Sequence, residues 1–142
     1  MGDAGTDLGL GMRRLLLACG PVNAAGAVCF APPFPHARRA FGLPEPDSFY
    51  LWVLAAWVAA FGVAFFRQGW TGRADRAVLA LAAWGKGVFA VLLVGGSAAG
   101  TPPLAAVAAA TDLSLAMVFG VWLWRSAGCR GHAGPDGMLT RG

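Results

Sequence analysis

Four stretches of this chain are apolar for long enough to cross a bilayer core, a distance that takes about 20 helical residues. They lie at 12–31, 49–66, 76–95 and 102–124 and fill more than half of the 142 residues. A helix satisfies its own backbone N–H and C=O groups, which hydrocarbon demands. The expected fold class is therefore an all-α membrane protein, a four-transmembrane-helix antiparallel bundle. Composition agrees. The residues AVILMFWYC make up 57% of the chain, charged residues only 13%, and mean hydropathy is +0.60. Soluble domains run near 45–50% apolar and 25% charged, and a domain this small leaves much of its surface facing solvent. A soluble enzyme, a disordered chain and a disulfide scaffold are all poor fits.

The connections have the residues that end helices. Pro32, Pro33 and Pro35 close the first segment, and Pro44 and Pro46 precede the second. Gly69 and Gly72 separate the second from the third, and Gly95, Gly96, Gly100, Pro102 and Pro103 form an uncharged turn before the fourth. Residues 1–11 read as a disordered lead, 12–125 as the transmembrane domain and 126–142 as a loose cytoplasmic tail. The first segment is the weakest, because Gly20, Pro21 and Asn23 interrupt it. Its Arg13-Arg14 and Cys19 look superficially like a lipoprotein signal. Only Leu15 to Ala18 precede the cysteine, however, where about 7–15 apolar residues are needed. A retained first span is the better reading.

Charge sets the orientation. In a four-span chain Arg13, Arg14, Arg67, Arg73, Arg76, Arg125, Arg130 and Arg141 share one side, and only Arg38 and Arg39 lie on the other. Eight against two is a positive-inside bias that places both termini in the cytoplasm of a multi-pass protein of the bacterial inner membrane. Trp52 on the outer side and Trp70, Trp122 and Trp124 on the inner fit interfacial belts. The net charge of +4 is thus topogenic, with no basic stripe or stacking platform for nucleic acid.

Two charges interrupt the spans. Lys86 lies ten residues past Arg76, and Asp112 thirteen before Arg125. At 1.5 Å per residue these are depths of roughly 15 and 20 Å. One isolated charge at mid-bilayer costs at least about 2.5–3.5 kcal/mol, so the two are expected to neutralise one another. Asn23 reaches a similar depth in the first span, with Thr111 and Ser114 beside the aspartate, and together they would complete a polar centre. Gly85 and Gly87 bracket the lysine and would admit a neighbouring helix closely, and Gly62 reads as another contact glycine. The centre is either an ion- or proton-linked site, a pocket for the polar end of a lipid or quinone, or a structural pin.

Other chemistry is sparse. Cys19, Cys29 and Cys129 form no CxxC and no zinc spacing, so no metal or other cofactor is expected. His36 and His132 fall outside the spans on opposite sides, which argues against a bis-histidine haem site, although His36 alone remains a possible outer-edge ligand. Glu45 and Asp47 read as solvated loop charges. No HExxH, GxSxG or phosphate-binding loop is present.

The chain resembles a group of small bacterial four-span membrane proteins, loosely DoxX-like. The resemblance runs from Leu15 to about Arg125. It rests on Asn23, Phe30-Ala31-Pro32, Phe41-Gly42-Leu43-Pro44-Glu45-Pro46, Phe61-Gly62, Gly85-Lys86 and Asp112-Leu113. It implies a four-helix bundle in the inner membrane and supplies no activity. The leading expectation is a small, non-enzymatic integral membrane protein that packs with lipids, other membrane proteins or itself. The alternatives are a proton-linked carrier using Lys86, Asp112 and Asn23, and a quinone- or haem-binding redox accessory protein.

Overall fold

The structure, a computed structural model, describes residues 6–43, 47–95 and 102–128. Among them the chain is helical apart from one short strand pair. In order these are β1 (Thr6–Asp7), α1 (Leu10–Phe30), α2 (Pro35–Ala40), α3 (Ser48–Thr71), β2 (Arg73–Ala74), α4 (Arg76–Gly95) and α5 (Pro103–Gly128). Three helices are long and apolar enough to cross a membrane, α3, α4 and α5 as far as Ala127, with mean hydropathies of 2.0, 2.1 and 1.9. Their outward faces expose Trp57, Val63, Trp84, Val91, Leu92 and Val107. Helices apolar on every side belong in lipid or a large core, and this chain is too small to supply the latter. α1 is not among the three, because Arg13, Arg14, Pro21 and Asn23 dilute it. It nonetheless stays helical through Pro21.

α1 packs along α3, and α4 along α5. Glycine permits the first of these approaches. A Cβ at Gly20 would lie 2.9 Å from the Cβ of Phe66, and one at Gly62 would lie 3.0 Å from the carbonyl oxygen of Gly20. At Gly69 it would meet the Leu17 nitrogen at 2.9 Å and the Arg13 oxygen at 3.0 Å. Small residues allow this backbone proximity, which van der Waals packing then rewards. Gly62 is thus a contact glycine as expected. Gly85 and Gly87 are not, since a Cβ on either meets nothing within 4 Å. Their position around α4 turns them away from the other helices, and adjacency to Lys86 gave no guide to that.

One apolar core joins all four long helices. It contains Met12, Leu16 and Cys19 from α1, Phe65 from α3, Leu79 and Ala82 from α4 and Phe119 from α5. The rings of Phe65 and Phe119 pack at 5.5 Å, a contact of about 0.5–1.5 kcal/mol beyond its buried area. Phe30 meets Phe89 edge-on at 5.9 Å, tying α1 to α4.

Three arginines close helix ends. Arg13 donates from Nε to the Gly69 oxygen at 2.9 Å and from Nη2 to the Trp70 oxygen at 3.2 Å, at the C-terminus of α3. Arg76 donates to the Leu123 oxygen at 3.0 Å and to Ser126 Oγ near the end of α5. Arg38 is buried and donates to the Ala31 oxygen at 2.7 Å, just past α1. Arg13 and Arg38 place positive charge where a helix leaves unpaired carbonyls, and Arg76 sets its charge toward the negative dipole end of α5.

The ordered chain also begins earlier than the expected lead allows. Thr6 and Asp7 pair antiparallel with Ala74 and Arg73, and α1 starts at Leu10 rather than Met12. The turn that receives this strand is built by Gly72, whose φ of 71° caps α3. Buried Gln68 completes it, its Oε1 accepting from the Asp75 nitrogen at 2.9 Å. Asp47 is no free loop charge, for it caps α3 by accepting from the Phe49 nitrogen at 2.8 Å. At the other end α5 continues to Gly128. Glu45 and the tail from 129 lie outside the described residues.

Valine at Gly69 must push backbone atoms of α1 aside, so Gly69→Val is expected to cost about 1–3 kcal/mol and lower the melting temperature in detergent. Gly85→Val meets open space and should leave it nearly unchanged. Equal losses in the two variants would show that glycine does not set the α1–α3 distance.

Candidate functional site

The residues with chemistry to offer converge on Lys86 and Asp112. Lys86 stands near the middle of α4, and Asp112 is the tenth residue of α5. Lys86 Nζ donates to Asp112 Oδ1 at 2.5 Å, and the two side chains are 15% and 19% exposed. The turn between the helices lies outside the described residues, but α4 and α5 are packed along one another. Two charges at matched positions on paired helices therefore meet across the seam. Each satisfies the other at a place where a lone charge has no water to hold it.

The pair recruits little else. Thr111 Oγ1 donates to the Val107 oxygen at 2.8 Å, and Ser114 Oγ to the Ala110 oxygen at 2.7 Å. Both hydroxyls thus return to the carbonyl one turn back on their own helix, the usual choice for Ser and Thr in an apolar setting. Asn23 is half-buried at the seam between α1 and α3, with its Cβ against the position of Gly62. Among the described residues no hydrogen bond joins it to Lys86 or Asp112. The five expected participants therefore divide into an ion pair, two self-satisfied hydroxyls and an amide at a different helix contact.

One neighbour came without warning. Cys19 of α1 is buried, and both Lys86 and Asp112 act on it electrostatically. It packs α1 into the apolar core that α4 and α5 share, within electrostatic range of the pair. Its signal in the sequence is the helical spacing of Met12, Leu16 and Cys19, which all enter one core cluster. That spacing reads as packing, and nothing in it announces a charged neighbour on another helix.

Cys19 and Cys29 are both free thiols. Exposed His36 lies on α2, and His132 and Cys129 are outside the described residues. Among the described residues no group of three or more His, Cys, Asp or Glu side chains is placed to hold a metal ion. Chemically, the site can hold a proton or an ion pair between two helices.

Since their hydroxyls serve their own helix, Thr111→Ala and Ser114→Ala should each change stability by no more than about 0.5 kcal/mol. Thermal unfolding in detergent measures this. A loss of several kcal/mol in either variant would reveal a wider polar network around Asp112.

Comparison with protein-family models, curated proteins and solved structures finds no match to this chain.

Proposed function

We propose that this chain is a four-span antiparallel bundle of the bacterial inner membrane, with both termini cytoplasmic. Its role is non-enzymatic: it associates with lipids and with other membrane proteins, and the Lys86–Asp112 pair pins α4 to α5. The observation behind the pin is the closed pairing of Lys86 with Asp112 at 2.5 Å, while the nearest hydroxyls bond their own helix. A carrier needs groups that exchange partners. Here the partners are already matched.

α1 serves as the fourth span in this reading. Its interruptions, Gly20 and Asn23, lie against α3 rather than lipid. Its arginines sit within the first turns, and Arg13 is committed to carbonyls of α3. The eight-to-two distribution of arginine supports the orientation. The large apolar outer faces of α3, α4 and α5 provide the surface for lipid and protein neighbours.

The proton-linked carrier is a second reading, favoured by buried Cys19, a further titratable group within electrostatic range of the pair. A double-mutant cycle separates the two. For a pin, Lys86→Met and Asp112→Asn each lose about 2.5–3.5 kcal/mol. The combined variant recovers most of that loss, because removing both partners leaves no unpaired charge. Unfolding in detergent reads the cycle. For a carrier, Asp112→Asn keeps its stability and abolishes a pH-dependent flux in proteoliposomes.

A further inference from the structure

Where the start of α1 passes the last turns of α5, the helices leave an open groove of about 600 Å³. That volume falls within the range of about 300–1,000 Å³ typical of small-molecule sites. Its walls are apolar, with Leu15 on one side and Met117, Val121 and Trp122 on the other. The residues contributed by α5 recur with helical period, so one face of the helix lines the groove along its length. Met117 and Arg125 are eight residues apart, which makes the furrow roughly 12 Å long.

The single charge in the lining is Arg125, near the end of α5. Arg13, Arg38 and Arg76 are each occupied by helix-end carbonyls. Among the described residues no carboxylate or carbonyl engages Arg125, and it is exposed. Gly11 sits on the facing helix, and a Cβ there would meet nothing within 4 Å. The groove is therefore an apolar furrow with one available guanidinium.

We propose that this groove binds an anionic phospholipid of the cytoplasmic leaflet, with an acyl chain along Leu15, Met117 and Val121 and the phosphate on Arg125. The occupant follows from charge and shape together. A basic group between helices on the cytoplasmic side attracts anionic head groups, guanidinium pairs with phosphate in bidentate fashion, and only a lipid joins that phosphate to a long apolar tail. Trp122 suits the boundary between the two. This inference rests on the membrane orientation proposed above.

The test is native mass spectrometry of the full chain, purified in neutral detergent and offered palmitoyl-oleoyl phosphatidylglycerol or phosphatidylcholine. The wild-type chain is expected to retain the anionic lipid about fivefold over the zwitterionic one. Arg125→Gln and Gly11→Leu should each bring the ratio close to one, by removing the cation and by filling the furrow. Gly11→Leu clashes with nothing and replaces a poor helix former by a good one, so it folds. Arg67→Gln, an exposed arginine outside the groove, should keep the wild-type ratio.

Three results would overturn the site: no anionic preference in the wild-type chain, a preference that survives Gly11→Leu, or an equal loss in Arg67→Gln. A dimer that Gly11→Leu converts to monomer without changing the lipid ratio would assign the groove to a second copy instead. Alkaline carbonate extraction of native membranes checks the underlying membrane insertion separately. Release of the protein by carbonate defeats the membrane reading whatever the lipid ratios show.

Discussion

An ammonium and a carboxylate in the middle of two apolar helices, whose other charges lie only near their ends, leave few tolerable arrangements. Each alone faces the cost of burial without a partner, and hydrocarbon offers none. The contact between Lys86 and Asp112 resolves both at once. It also fixes how α4 and α5 slide and rotate against each other, because any shift that separates the charges restores two penalties. Apolar side chains give no such directional control, since lipid tails solvate them nearly as well as neighbouring helices do. The polar pair supplies what the abundant Ala, Val and Leu cannot.

Elsewhere the same demand for satisfied polar groups appears at helix ends. Arg13, Arg38 and Arg76 each reach from one element to carbonyls in or just past the last turns of another, linking α1 to α3, α2 to α1 and α4 to α5. Charges that read as orientation signals along the sequence thus also serve as fasteners. Glycine plays the complementary part between α1 and α3, where Gly20, Gly62 and Gly69 let two backbones come nearly into contact. Where α1 meets α5, by contrast, a groove remains, with Arg125 the one charge in its lining.

What the sequence made legible follows from what periodicity and depth can encode. Apolar run lengths located α3, α4 and α5 to within a few residues, and distance from flanking arginines brought Lys86 and Asp112 to comparable depth. Gly62 was readable as a contact residue, whereas Gly85 and Gly87 were misread, because adjacency to a lysine says nothing about which way a helix face points. The pairing of Thr6–Asp7 with Arg73–Ala74 joins segments far apart in the chain and has no local pattern. The burial of Arg38 is local, since it bonds carbonyls six and seven residues back, but an arginine beside prolines reads as a loop charge. The electrostatic link between Cys19 and the ion pair joins residues far apart in the chain and was hidden for that reason. α1 remained the hardest element, since its arginines, proline and asparagine lower its hydropathy while its partner α3 absorbs several of them.

Lys86 is the only lysine in the chain, so isotope labelling can address its ammonium without ambiguity. With ¹⁵N-lysine and ¹³Cγ-aspartate in lipid bilayers, solid-state NMR reads the dipolar coupling between the ammonium and any nearby carboxylate. A bundle pinned by this pair predicts a strong Nζ–Cγ coupling that disappears in Asp112→Asn. A missing coupling in the wild-type protein, or one that survives the substitution, would contradict the pairing on which the fold is built.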